Sequence, residues 1–93
     1  MNRYRQGYLA ELDLMKLLKQ GDRFVIVLRS AGSRSPVDVV AVGKSRILLC
    51  QVKTGKGQFR AEKEALKRLQ VPRCARKQIW IYRKRVWQTI NVP

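Results

Sequence analysis

Two apolar runs joined by a short turn constrain this chain more than any other feature. Val37 to Val42 is rich in β-branched residues and reads as a strand, Gly43-Lys44-Ser45 as a tight turn, and Arg46 to Lys53 as a second strand. Such a pair closes as an antiparallel hairpin. A hairpin alone is marginal in water, so it needs neighbours. The spacing predicts a helix over Tyr4 to Gln20, with Tyr8, Leu12, Met15 and Leu18 three to four residues apart and Leu14 and Leu17 widening the stripe. Gly21-Asp22 ends it. Arg23 to Arg29 reads as a strand and Ser30 to Pro36 as a small-residue loop. After a second loop, Thr54 to Gly57, a helix is predicted over Gln58 to Gln70. Phe59, Ala65, Leu66 and Leu69 form its inner side, and Arg60, Lys63, Lys67 and Arg68 lie mostly outside. Val71-Pro72 stops it. Lys77 to Tyr82 and Val86 to Val92 read as closing strands around Arg83-Lys84-Arg85. The order α-β-β-β-α-β-β implies a mixed sheet flanked by helices, in the α/β or α+β class.

Charge then narrows the partner. Lys and Arg number 21 against 6 Asp and Glu, for a net charge of +15. That points to a polyanion, nucleic acid first and an anionic membrane surface second. With 45% hydrophobic residues the chain is globular and no disordered basic tail. Its 93 residues are expected to form one domain, 1–93, with a core small enough that dimerisation helps it. No apolar run approaches the roughly 18 residues of a membrane span, and the N-terminus lacks a signal-peptide core. The expected location is cytoplasmic, at the nucleoid, or a host cytoplasm if the chain is viral. Histidine is absent, which removes His-based triads, His–metal clusters and His general bases. Cys50 and Cys74 lie far apart and support neither a zinc site nor a disulfide framework; both are expected to be buried thiols.

Three polar features sit badly with simple core packing. Glu11 shares the inward side of the first helix with Leu14 and Met15. Asp38 lies between Val37 and Val39-Val40 at the start of a strand, where aspartate is disfavoured. Gln51 and Lys53 alternate with Cys50 and Val52, so they share one face of the strand, roughly 6–7 Å apart. Each has an ordinary reading alone: a boundary carboxylate, a turn aspartate, a lysine reaching out to solvent. Together they mean more. The hairpin brings Asp38, at the start of one strand, opposite Gln51 and Lys53, at the end of the other. Asp38, the Gln51 carbonyl oxygen and a backbone carbonyl offer the oxygen donors a divalent metal needs. A lysine beside such a metal positions a water and neutralises charge on a pentavalent phosphate.

At these residues the sequence resembles the PD-(D/E)xK nuclease superfamily, and within it the archaeal-type Holliday-junction resolvases. The resemblance is carried by Tyr4-Arg5-Gln6-Gly7 followed by Ala10-Glu11, by Arg29-Ser30-Ala31-Gly32-Ser33, by Val37-Asp38-Val39-Val40-Ala41, and by Gln51-Val52-Lys53. The four blocks run in order from about Tyr4 to Lys53. The resemblance implies a restriction-endonuclease-like α/β fold and a metal-dependent endonuclease that acts as a homodimer on branched double-stranded DNA and places paired nicks in a four-way junction. It implies Asp38 as the main metal ligand, Gln51 and the Val52 backbone carbonyl as further ligands, and Glu11 as the helix carboxylate completing the site. Lys53 becomes the catalytic lysine, and Arg29 and Ser30 contact the scissile phosphate or hold the loop near it. Mg²⁺ is the implied cofactor, with Mn²⁺ as substitute. Two departures stand out. The family has Glu where this chain has Gln51, a change known in related restriction-type nucleases. It removes one negative charge, so the site should hold Mg²⁺ less firmly. After Lys53 the chain is shorter than a typical resolvase. A restriction-like or flap/nicking endonuclease, or a catalytically weak branched-DNA-binding protein, are the alternatives.

Arg3, Arg5, Arg34, Lys56 and Arg60 fall in the N-terminal arm and the two loops near this site, where they are expected to neutralise DNA phosphates without reading sequence. Lys63, Lys67 and Arg68 are a solvated face or part of the same surface. The turn Arg83-Lys84-Arg85 extends that surface or does nothing. Phe59, Trp80, Tyr82 and Trp87 are expected in the core or a dimer contact, not as base-stacking platforms.

Overall fold

The computed structural model describes residues 3–30 and 35–93, with side chains from Arg5 onward. In chain order the elements are α1 (Arg3–Lys19), β1 (Ile26–Arg29), β2 (Val39–Val42), β3 (Ile47–Thr54), α2 (Arg60–Arg68), β4 (Ala75–Arg83) and β5 (Val86–Val92). One five-stranded sheet runs β1-β2-β3-β4-β5 in space. Only β3 and β4 pair in parallel; the other three pairs are antiparallel. The parallel pair follows from α2, because a crossover helix returns the chain to the same end of the sheet. The expected element order and the mixed α/β sheet are thus what the chain forms.

The β2–β3 hairpin is in the expected register, with Val39 opposite Cys50 and Val42 opposite Ile47. Alternation sends Val39, Ala41, Leu48, Cys50 and Val52 to one face, where Ala10, Leu14 and Leu18 of α1 cover them. On the opposite face Leu66 of α2 packs with Val37, Ile79, Ile81 and Val92. Leu14 and Leu66 are fully buried, so truncating either to Ala should cost about 2–5 kcal/mol. Gly43 closes the hairpin turn beneath the Arg23 backbone. A Cβ there would lie 2.6 Å from the Arg23 carbonyl oxygen, so no larger residue fits without a shift. Lys77, 8% exposed, ties the second helix to the sheet: its ammonium donates to the carbonyls of Lys67 and Leu69 at 3.2 and 3.1 Å. It thereby satisfies backbone oxygens that a helix end leaves open.

Several expectations need correction. The buried stripe of α1 is Ala10–Leu14–Leu18, while Tyr8, Leu12 and Leu17 are 37–40% exposed. Leucines occupy several sides of this helix, so periodicity alone does not fix its rotation; small Ala10 lets the helix approach the sheet. The first strand starts at Ile26, not Arg23, and Val25, Ile26 and Leu28 are exposed. This is an edge strand, and α2 covers β4 and β5 on that side of the sheet. The second helix is shorter than expected, and Ala65 is exposed. The fourth strand is longer at both ends, so Arg83 belongs to it and only Lys84-Arg85 turn. Cys50 is a buried free thiol as expected, but Cys74 is exposed, because it lies in the turn before β4. Trp80 and Trp87 pack against the α1-side core, with ring centroids 5.9 Å apart. Among the described residues no helix is long and apolar enough to cross a membrane.

Candidate active site

The open end of the β2–β3 hairpin gathers the polar residues. Asp38 sits just before β2, and its backbone still follows the ladder: its N–H donates to the Cys50 carbonyl at 2.8 Å, and its own carbonyl accepts from Ser30. The Asp38 carboxylate accepts the Val52 N–H at 2.8 Å. This bond fixes the carboxylate beside the β3 backbone between Gln51 and Lys53. Those two residues lie opposite Ile79 and Ile81 on β4, on the side of the sheet that α2 covers. Gln51 Oε1 is buried and has no hydrogen-bond donor among the described residues. A buried acceptor left open costs about 1–3 kcal/mol.

Glu11 approaches from the helix on the other face. It is half-buried and pairs with Arg29 at 3.3 Å, and the Arg29 guanidinium carbon lies 4.6 Å from the centroid of the Tyr8 ring. Arg29 thus holds the Glu11 carboxylate near enough to Asp38 for their charges to interact. Arg29 holds Glu11; Ser30 sits at the start of the loop whose residues 31–34 lie outside the described residues. Arg34 falls among those, as does the side chain of Arg3. Arg5, Lys56 and Arg60 are all exposed.

Burial dominates the electrostatics. Loss of solvent raises the Asp38 carboxyl above its ordinary 3.8, against the opposing pull of the Val52 N–H and the Lys53 charge. Glu11 rises above 4.5 mainly for the same reason and also through repulsion by Asp38, with Arg29 opposing. The neighbouring Cys50 thiol is pushed up to about 12 by burial and by the Asp38 charge, so it is no nucleophile. The folded protein therefore binds protons on Glu11 and Asp38 more tightly than the unfolded chain does. Their contribution to stability is unfavourable at neutral pH. It improves as pH falls through the raised folded values, and the penalty is gone below the ordinary 4.5 and 3.8. Denaturant titrations in chelator should show stability gained as pH falls toward the ordinary values of 4.5 and 3.8, with Asp38→Asn reducing the gain. A fall in stability over that range, unchanged by the substitution, would contradict the assignment.

One site residue is missing from the sequence reading. Glu62, in the first turn of α2, pairs with Lys53 at 3.3 Å. It reaches the site because Phe59 begins α2 in a left-handed conformation, φ 54, with its ring partly buried in the α2-side core. The available signal was its rarity, one of 6 acidic residues in a chain of net charge +15.

The donor set suits a divalent cation. Asp38 and Glu11, both of raised proton affinity, and the open amide oxygen of Gln51 are hard oxygen donors of the kind a divalent cation takes. Among the described residues no three acidic, Cys or His side chains cluster as a metal site.

A mixed sheet with one helix on each face, and acid, amide and lysine at the open end of its hairpin, define a restriction-endonuclease-like α/β fold. No protein-family model and no curated protein matches the chain. Among solved structures, the chain is similar to the Holliday junction resolvase Hjc of Archaeoglobus fulgidus, an archaeal hyperthermophile. The TM-score is 0.73 at 26% identity, over 94% of this chain and 73% of the other. The likeness to archaeal-type resolvases, carried in sequence by blocks from about Tyr4 to Lys53, thus extends in structure over 94% of the chain.

Proposed function

We propose that this chain is a metal-dependent endonuclease that resolves four-way DNA junctions as a homodimer, one 1–93 domain per protomer. The observation that carries this reading is the open buried oxygen of Gln51 beside Asp38 and Lys53. Core packing gives such an oxygen no purpose, whereas cation ligation does. Asp38, Gln51, Glu11 and the Val52 carbonyl would hold Mg²⁺ or Mn²⁺, which when bound supplies Lewis-acid stabilisation of a phosphodiester under attack. The Lys53 ammonium, steered by Glu62, positions the attacking water and neutralises charge growing on the phosphate. Arg29 and Ser30 orient the scissile phosphate. Arg3, Arg5, Arg34, Lys56 and Arg60 hold the duplex arms through their backbones. The exposed apolar side chains of Ile26 and Leu28 on an edge strand, and of Val25 just before it, support self-association, because such an edge is otherwise an aggregation hazard.

A second reading, a branched-DNA-binding protein that cuts weakly, is favoured by the neutral amide at position 51. Cleavage of a labelled four-way junction beside a linear duplex of the same sequence, with Mg²⁺ or Mn²⁺, separates the two. Paired symmetric nicks in the junction alone, lost in Lys53→Ala, are expected. Cutting of both substrates would point to a restriction-like or nicking enzyme. Tight junction binding without cutting in either metal would favour the second reading.

A further inference from the structure

The turn between β4 and β5 is built against its own sterics. Lys84 and Arg85 both have left-handed backbone, with φ 48 and 66. Two-residue hairpin turns of this hand strongly favour Asn-Gly, since a Cβ is penalised at each position. Here two cations occupy them instead. Both are exposed, and neither has an ion-pair partner among the described residues. The left-handed turn serves the hairpin, but nothing in the fold calls for two cations in place of Asn-Gly at its tip, which directs attention to function.

The tip is also tied to the active site. Arg83 donates from Nε to the Gly55 carbonyl at 2.5 Å and from its guanidinium to the Gly57 carbonyl at 2.6 Å. Its guanidinium carbon lies 5.8 Å from the centroid of the Phe59 ring, at the start of the helix that carries Glu62. The hairpin and the loop following Lys53 and Thr54 are therefore joined by these two hydrogen bonds and by a third, from the Gly55 N–H to the Tyr82 carbonyl at 3.3 Å. Between them runs an open groove of about 850 Å³. Lys56, Arg83 and Lys84 line it with Tyr82, and among the described residues no carboxylate does.

We propose that this groove and the Lys84-Arg85 tip form a second DNA contact, which takes the phosphodiester backbone of an arm leaving the cleavage site. The inference rests on the function proposed above, shares Lys56 with it, and adds Arg83, Lys84 and Arg85. A groove lined by cations without an acid suits a polyanionic backbone, and its walls are braced before the DNA arrives. Arg83 is the positioning residue that holds the walls together; Lys56, Lys84 and Arg85 make the contacts.

The test is binding of the full chain to a four-way junction in chelator, by fluorescence anisotropy across a salt series, alongside thermal denaturation. In the double variant Lys84→Asn/Arg85→Gly the turn relaxes and Tm should rise by about 4–8 °C. Junction affinity should fall about five- to tenfold near 0.1 M salt, and the slope of log K against log salt should flatten by about 1–2. Lys84→Gln/Arg85→Gln should lose the same affinity without the gain in Tm. Lys44→Gln/Arg46→Gln removes equal charge at the β2–β3 turn, at the other end of β3, and should bind within about twofold of the parent. Parent-like binding by both hairpin variants, or an equal loss in the Lys44/Arg46 control, would overturn the second contact and leave the nuclease reading intact. A parent chain that binds no DNA would overturn both.

Discussion

Asp38→Asn is expected to lower metal-dependent cleavage by about 10³-fold while making the cation-free protein more stable. The two effects have one origin. The Asp38 carboxyl is held in a partly buried position where loss of solvent outweighs every favourable contact it makes. A folded protein accepts that only where ionisation serves another purpose. Asparagine keeps an oxygen that can accept the Val52 N–H, now made at 2.8 Å, so the entry into β2 need not move. It removes the charge, and with it the strongest donor the site offers to a divalent cation. Loss of one such preorganised group typically costs 10²–10³ in rate, and in the proposed site Asp38 acts on both the cation and Lys53. Two measurements check this: single-turnover cleavage of a junction in Mn²⁺, and Tm with and without Mn²⁺. The parent should be stabilised by Mn²⁺ and the variant should not. Full activity in the variant would remove Asp38 from the mechanism. A fall in its cation-free Tm would mean that the charge serves the fold, through Lys53, and not a ligand.

The parts of this site that follow local rules were legible in the sequence. Strand alternation put Gln51 and Lys53 together, and hairpin register put Asp38 across from them. The Asp38–Val52 hydrogen bond is the physical form of that juxtaposition. Glu11 was legible as an acid among apolar neighbours, although the rotation of α1 was not: leucines on several sides give a weak stripe, and close packing against the sheet selected Ala10 over Leu12. Glu62 was not legible. Its pairing with Lys53 depends on where a crossover helix begins, and that is set by the left-handed Phe59 and the core beneath it. The same limit applies to the edge. A run such as Phe24-Val-Ile-Val-Leu28 reads as a strand with no sign of which face is open, yet among the described residues β1 pairs only with β2 and leaves Ile26 and Leu28 exposed. Sequence pattern reports which residues prefer burial; tertiary contacts decide which of them obtain it.

Gln51→Glu is expected to raise Mg²⁺ affinity by about tenfold or more and to raise cleavage at low Mg²⁺. The neutral oxygen of Gln51 already stands buried and open, so the substitution changes charge at nearly constant shape. Two unit charges 4 Å apart interact by about 4 kcal/mol at an effective dielectric near 20, and a divalent ion by more. Desolvating the new carboxylate and repulsion by Asp38 take back part of this, which leaves a gain of one or two orders of magnitude. Without cation the same repulsion should lower Tm, so the stabilisation by Mg²⁺ should grow. Lys53 gives a further check. Its ammonium is now shared between the field of Asp38 and the Glu62 carboxylate at 3.3 Å. A carboxylate at position 51 would offer it a partner on its own strand. Glu62→Gln should therefore slow cleavage about tenfold or more in the parent and considerably less in the Gln51→Glu background, a coupling that only neighbouring, interacting groups produce. Isothermal titration with Mg²⁺ and cleavage rates for the four proteins of this cycle suffice. Additive losses would show that Glu62 acts on the fold alone, and complete loss of activity in Gln51→Glu would show that the site requires the neutral amide.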